Sequence, residues 1–261
     1  MEVVVVPTAE DAARLVADAY RALLESRPDA VLGLATGSTP LPLYRELARR
    51  HREEGLSLAR ARAFLLDEYV GLPDGHPGRY RAFIAEELER HVDFAPGAIR
   101  GPGDAGSDPL EEGPAYERAI REAGGIDLQI LGIGADGHLA FNMPMSSLGS
   151  RTRLKTLTPR TRQDNARFFG GDLDRVPTHC LTQGLATILD CRHAIMLGIG
   201  RAKAQAVRAA VEGALSARWP ASVLQLHPHA TVVVDEEAAA ELEFVEYYRE
   251  TFAGKPAGQG L

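Results

Sequence analysis

The sequence is poor in cysteine, has no long apolar run and carries no excess of basic residues, and each shortage removes a class of protein. Cys180 and Cys191 are the two cysteines of the 261 residues, and no CxxC spacing joins them. That argues against a disulfide framework or a zinc site, and for two small buried apolar side chains. No stretch reaches the roughly 18 apolar residues that a membrane helix needs. Lys and Arg number 29 against 36 Asp and Glu, for a net charge of −7 and a pI near 5.7. There is thus no whole-protein basic footprint for nucleic acid, and a small-molecule partner is expected rather than a polymer or a membrane. The amino-terminal stretch MEVVVVPTAEDAA lacks the basic start, long apolar core and small-residue cleavage site of a signal peptide, so a cytoplasmic location is expected.

What is present is an ordinary globular composition, 45% hydrophobic and 25% charged, too apolar for a disordered chain. The length exceeds the usual domain prior, but α/β sheets run to roughly 250 residues as one unit. Apolar or β-branched runs predict strands at Val3–Val6, Ala30–Ala35, Ala63–Leu66, Asp127–Leu131, Ala194–Leu197 and Thr231–Val234. Helical patterns fall between them, at Ala9–Glu25, Pro40–Arg50, residues 78–91 and Glu236 to about Phe252. Residues 101–114 are dense in turn formers and read as a surface loop, and 254–261 as a frayed tail. Strand-to-glycine-to-helix turns recur at Gly33–Pro40, Gly132–His138 and Gly198–Lys203. This alternation predicts one α/β domain, a mostly parallel, doubly wound sheet with helices on both faces. Ligands of such sheets bind at the carboxyl ends of strands, and every suggestive residue lies at a predicted strand end.

Three stretches and two separate cations could carry chemistry. GLATGSTP (Gly33–Pro40) ends a strand and opens a helix; its exposed amides and the hydroxyls of Thr36, Ser38 and Thr39 around Gly37 suit a phosphate, or else merely cap the turn. It has neither the Gly-Lys-Ser/Thr signature of a nucleotide-triphosphate loop nor a good dinucleotide fingerprint. In LLDEYVGLP, Asp67 follows an apolar strand, where partial desolvation fits a carboxylate for general-base work; the alternative is that Asp67 or Glu68 caps the next segment. LGIGADGHLAFNMP is the most specific stretch, placing Asp136 and His138 on one glycine-rich loop where a neutral histidine can move a proton. Arg167 and Lys203 are the cations placed to meet an anion, with Lys203 expected one turn into a helix.

Together GLATGSTPLPLY, FLLDEYVGLP, LGIGADGHLAFN, SSLGSRTRLKTLT, NARFFGGDLDRVP, AVEG and LQLHP resemble the glucosamine-6-phosphate deaminase family, in consistent order over nearly the whole chain. The resemblance implies a modified Rossmann-like α/β fold and a cofactor-free aldose–ketose isomerisation coupled to loss of ammonia, with fructose 6-phosphate as product. It implies that Asp67 removes the C2 proton and returns it at C1. His138 would open the pyranose ring, with Asp136 beside it in the catalytic set. Thr36, Gly37, Ser38, Thr39, Arg167 and Lys203 would hold the phosphate, and residues 157–180 would form a mobile lid. No metal is implied.

The sequence departs from the family at one telling position. The family pattern after the histidine is FNEP, and here it is FNMP, so Met143 stands where a glutamate pairs with the ring-opening histidine. A thioether neither accepts a proton nor stabilises imidazolium, and a template protease loses about 10⁴ in rate without the acid that orients its histidine. A weakened or altered enzyme, a different substrate or ring-opening arrangement, and a binding protein that kept the fold all fit this change. Ser146, Arg153 and Lys155 match positions where many members bind N-acetylglucosamine 6-phosphate as effector between subunits. The tyrosine that completes that site in some members falls at Arg249, beside Tyr247 and Tyr248. The retained loop tilts the expected assembly toward a homo-hexamer. The competing readings are an isomerase/deaminase of a related substrate such as galactosamine 6-phosphate, and a catalytically silent sugar-phosphate sensor. The related 6-phosphogluconolactonases share the fold and a similar glycine–histidine loop, but DEYVGL and AFN fit the deaminases better.

Overall fold

The structure, a computed structural model, describes residues 1–104, 106, 108–256 and 258–261. Seven parallel strands form its main sheet: β1 (Glu2–Val6), β2 (Val31–Leu34), β3 (Arg62–Leu65), β5 (Ile99–Arg100), β6 (Leu128–Gly132), β9 (His193–Gly198) and β10 (Ala230–Asp235). Their spatial order is β1-β10-β9-β6-β2-β3-β5, and every pairing is parallel. Successive strand side chains point to opposite faces, so a strand buried at every position is covered on both sides. All six residues of β9, all six of β10 and all four of β2 are buried. The helices that cover them include α1 (Ala9–Ser26), α2 (Leu41–Glu54), α4 (Pro109–Glu122) and α7 (Ala204–Val211). The Thr8 hydroxyl caps α1 by accepting the Asp11 amide, and Gly55 closes α2 in the left-handed conformation.

The strand order fixes where a ligand can sit. From β2 the chain moves outward through β3 and β5; from β6 it moves the other way through β9 and β10. The winding therefore reverses between β2 and β6, and the loops after these two strands splay apart to leave a crevice. The GLATGSTP turn follows β2 and the GADGH turn follows β6.

A second, antiparallel sheet is built from β4 (Asp67–Tyr69), β8 (His179–Thr182) and β7 (Arg153–Thr156), in the order β4-β8-β7. It rests on its own small apolar cluster of Tyr69, Phe141, Leu157, Ala166, Phe169, Val176 and Cys180. Buried Glu117 ties α4 to this region, accepting from the Thr152 amide and hydroxyl and from the Thr187 hydroxyl. The remaining helices are α3 (Tyr80–Glu87), α5 (Pro159–Asn165), α6 (Leu185–Leu189) and α8 (Val245–Ala253).

Several expectations need correction. Residues 101–114 are not all loop: Asp108 caps α4, accepting the Leu110 amide, and Pro109 is its first residue, so the turn formers there mark a helix start. Ala105 and Ser107 of that stretch lie outside the described residues. The segment from Glu236 to Phe252 is not one helix. The Asp235 carboxylate takes the Ala238 amide, and the Glu212 carboxylate takes the amides of Glu243 and Phe244, so turns persist until α8 begins at Val245. The helix expected over 78–91 is α3 followed by a 3₁₀ turn, Glu89–His91. Lys203 is not one turn into a helix; it closes a 3₁₀ turn, Arg201–Lys203, directly before α7. In the stretch 254–261, Ala257 lies outside the described residues, while Lys255 pairs with Glu2 at 2.7 Å and Leu261 packs against the core. Both cysteines are buried and free.

Candidate active site

A cleft of about 690 Å³ opens at the carboxyl ends of the parallel strands. Thr36, Gly37, Ser38, Thr39, Asp67, Asp136, His138, Arg167 and Lys203 all line it, so one surface gathers every catalytic and phosphate candidate read from the sequence. Ser146, Arg153 and Lys155 are not among its lining residues.

The turn after β2 is shaped as an anion cradle. Gly37 has φ of +97°, a conformation in which a side chain would be strained. Tyr44 anchors the approach from below: its hydroxyl donates to the Ala35 carbonyl at 2.6 Å and accepts the Ala35 amide. Among the described residues, none of the amides of Gly37, Ser38 and Thr39 finds an acceptor, and no side chain caps α2. Free amides at a helix start attract negative charge. Lys203 and Arg167 face the same space, and neither has a carboxylate within ion-pair distance among the described residues. Burial lowers the Lys203 pKa, the Asp136 charge opposes that shift, and Arg167 adds to it, so the three groups share one field. The Arg167 guanidinium lies 4.7 Å over the Phe168 ring.

The turn after β6 carries the proton-moving pair. His138 Nδ1 lies 2.6 Å from Asp136 Oδ1, which also accepts the His138 amide. A carboxylate at Nδ1 calls for the ring proton there, leaving Nε2 as the lone-pair nitrogen. The His138 hydrogen bond holds the Asp136 carboxyl down at about 2. Gly134 makes room for this arrangement, since a Cβ there would overlap the imidazole. Ala140, two residues on, adopts a positive φ of 51°.

Asp67 opens β4, directly beyond the end of β3. It is buried and its carboxylate accepts no hydrogen bond from the described residues. Burial, with the Glu68 charge next to it, holds its carboxyl well above the usual range. A desolvated carboxylate without donors is the environment that raises basicity. Glu68 points away from it, as strand alternation requires, and is 1% exposed. Its oxygens accept the amides of Tyr69, Tyr80 and Arg81 at 2.8, 3.0 and 2.9 Å, with Arg79 Nε at 3.4 Å. Glu68 thereby caps α3 from a neighbouring strand, and α3 has no capping side chain of its own.

Among the described residues, no second carboxylate joins Asp136 at His138. Asp136 is the acid bonded to His138, and Glu68 is committed to α3. Met143 instead lines the cleft and packs against the Tyr69–Phe141–Phe169 cluster. The cleft wall on that side is aromatic, with Tyr80 stacked on Phe141 at 5.9 Å and Tyr69 tilted against Tyr80 at 5.0 Å. The sequence reading passed over these rings and Thr158, Arg160 and Asp164, which line the same cleft. The one signal for the rings was the alternation of Asp67, Glu68 and Tyr69. Among the described residues, no group of three or more His, Cys, Asp and Glu side chains is placed to hold a metal ion.

The second candidate site divides differently. Arg153 and Lys155 lie on β7, in register with Thr182 and Cys180 of β8. Burial lowers the Arg153 pKa. Ser146 is buried, and its hydroxyl has no partner among the described residues. Arg249 is engaged elsewhere, paired with Glu236 and Glu246.

Comparison with known proteins places this geometry. The family model described as glucosamine-6-phosphate isomerases/6-phosphogluconolactonase matches residues 7–234. The chain belongs to this family. It is 61% identical to a glucosamine-6-phosphate deaminase of Beutenbergia cavernae and 60% identical to one of Mycolicibacterium smegmatis, each over the full length of both chains. A solved monomeric glucosamine-6-phosphate deaminase superposes with a TM-score of 0.87 at 41% identity, covering 92% of this chain and all of that one. A 6-phosphogluconolactonase from Thermotoga maritima shares the fold at a TM-score of 0.70 and 22% identity, covering 90% of this chain and 98% of its own. No helix among this chain's described residues is long and apolar enough to cross a membrane.

Proposed function

We propose that the chain converts glucosamine 6-phosphate and water to fructose 6-phosphate and ammonia. The observation that carries this reading is the meeting, in one cleft, of a buried Asp67 carboxylate without donors, the Asp136–His138 pair and an unpaired cationic cradle. The deaminase relatives at 61% and 60% identity support the choice of substrate.

Each group has a task its surroundings fit. The Thr36–Thr39 amides and hydroxyls, Arg167 and Lys203 bind the phosphate and fix the sugar's orientation, which turns proton transfer into an intramolecular event. His138, held by Asp136, carries a proton to the ring oxygen as the pyranose opens. Asp67 then takes the C2 proton from the open aldose form, giving an enolamine, and delivers it to C1. Water adds at C2 of the resulting imine, and ammonia leaves. Residues 157–180, which supply Thr158, Arg160, Asp164 and Arg167 to the cleft, act as the lid that keeps bulk water from the enolamine.

Met143 bears on the ring-opening step alone. Ring opening also proceeds without catalysis, so the methionine lowers the rate and leaves the Asp67 chemistry in place. Incubation with glucosamine 6-phosphate, following ammonia and fructose 6-phosphate together, tests the reading: turnover is expected in the wild-type chain, lost in Asp67→Asn and raised about tenfold or more in Met143→Glu. Binding without turnover that Met143→Glu does not relieve would favour the sensor reading. Sugar phosphate that neither binds nor reacts would remove the substrate assignment.

The effector reading of Ser146, Arg153 and Lys155 draws support from register. Across β8, Arg153 stands level with Asp67 and Lys155 with Tyr69. N-acetylglucosamine 6-phosphate held between subunits of a hexamer would thus act two strands away from the base. Activation by that compound, and a hexameric mass by light scattering, are the expected results; a monomer with an unchanged rate refutes both.

A further inference from the structure

Asp67 and His138 come from different parts of the chain, one beyond β3 and the other beyond β6, in strands that β2 separates. Two buried amide side chains join these parts behind the cleft. The Gln183 backbone amide donates to the Leu66 carbonyl at 2.7 Å, and Gln183 Nε2 donates to the Leu65 carbonyl at 3.0 Å. Leu65 and Leu66 are the two residues directly before Asp67. The Gln183 backbone carbonyl in turn accepts Asn142 Nδ2 at 2.8 Å, and the same nitrogen donates to the Leu139 carbonyl at 3.0 Å. Leu139 directly follows His138. Both amide residues are 0% exposed.

We propose that Asn142 and Gln183 form a strut that sets the separation between Asp67 and His138, a positioning role that rests on the reading of these two as the reacting pair. Two features argue against a purely stabilising role. Asn142 Oδ1 and Gln183 Oε1 are buried without a partner among the described residues, a standing cost that a core built for stability alone would avoid. Moreover, the carbonyls the strut grips have other donors: Tyr116 Oη serves Leu65, the Asn142 backbone amide serves Leu139, and Thr182 Oγ1 serves the Gln183 carbonyl. Removing the side-chain amides leaves these carbonyls satisfied: Asn142→Leu cuts the direct bond from the turn after His138 to Gln183, and Gln183→Met cuts one of the two bonds from Gln183 to the strand end before Asp67.

The test compares Asn142→Leu, Gln183→Met and the double variant with the wild-type chain, reading kcat, KM for glucosamine 6-phosphate and the melting temperature. A misplacement of about 1 Å costs up to about 100-fold. Each single variant is therefore expected to lose about tenfold to 100-fold in kcat with KM within about twofold, because the phosphate cradle is untouched. The double variant is expected to be no worse than the poorer single one, since both changes loosen the same link. Full kcat in a folded single variant, losses that multiply in the double variant, or a rise in KM matching the fall in kcat would each overturn the strut. Any one variant that folds suffices for the kcat comparison. Turnover by the wild-type chain with unimpaired variants would remove the strut alone, whereas no turnover by the wild-type chain or by Met143→Glu removes the reading beneath it as well.

Discussion

The parallel and antiparallel sheets divide the work of this molecule unequally. The seven-stranded sheet is built from runs such as Val3–Val6 and Thr231–Val234, buried nearly throughout, and it contributes position: loops that end at the cleft. The three-stranded sheet spends its few residues on polar and charged side chains, Asp67 and Glu68 on β4 and Arg153 and Lys155 on β7, and in the proposed reaction it contributes the base. Its strands hold because Tyr69 and Cys180 bury an apolar face on Phe141 and Phe169. One sheet can lose a methylene group with little effect on turnover; the other holds a carboxylate whose environment makes it both reactive and costly.

Asp67→Asn probes that contrast with the largest expected effect. A general base typically contributes about 10² to 10⁴ in rate, and the cleft's Asp136 and Asp164 lie on other elements, Asp136 bonded to His138, so a loss of about 10³ or more in kcat is expected. Stability should move the other way. The Asp67 pKa is raised in the folded chain, so between the unfolded and folded values the native state binds more protons, and ionised Asp67 destabilises it above that window. The asparagine variant should therefore melt higher than the wild-type chain at pH 8, with the difference closing below about pH 4, where the unfolded carboxyl is protonated too. Equal melting at pH 8 would mean that Asp67 is not desolvated.

The same contrast explains what could be read from the sequence. Strands such as Val31–Leu34 and His193–Gly198 announce themselves because burial on both faces demands continuous apolar runs. The turns after them are legible because Gly37 and Gly134 meet demands that other residues cannot meet without strain or overlap. The antiparallel sheet has no such pattern: RLKT on β7 and HCLT on β8 are short and mixed, and they pair only because distant residues supply the cluster beneath them. Glu68 shows the limit most clearly. The sequence offers Asp67 or Glu68 as a cap of the next segment, but that Glu68 takes this role depends on a helix that begins twelve residues later, and local spacing does not choose between the two. The Asn142–Gln183 link spans 41 positions and is hidden for the same reason.

Glu68→Gln sharpens the comparison within the antiparallel sheet. The amide retains one acceptor oxygen for α3 and removes the negative charge that helps hold the Asp67 pKa up. With that charge gone the Asp67 value falls, more of it is ionised at a given acidic pH, and the acid limb of the kcat/KM profile shifts to lower pH. Glu68 faces Arg79 and the amides of Tyr69, Tyr80 and Arg81, while Asp67 faces Tyr69, Tyr80, Tyr116 and Cys180, all of which stay in place. Loss of one buried acceptor should cost about 1–3 kcal/mol in a denaturant titration. A lower melting point with an unmoved acid limb would leave Glu68 a structural cap and nothing more.

Ile195→Val is the smallest change and the control for the parallel sheet. Ile195 is fully buried at the middle of β9, between β6 and β10, away from the strand ends that form the cleft. Deleting one methyl group there removes transfer energy and leaves a small void, for a loss of about 0.5–1.5 kcal/mol. For a chain of this size that is a fall of about 2 °C or slightly more in melting temperature. The kinetic constants should remain within about twofold, because β9 reaches the site only through Lys203, beyond its carboxyl end. A larger fall in kcat would mean that packing inside the parallel sheet is transmitted to the phosphate cradle, and the division of labour between the sheets would then have to be abandoned.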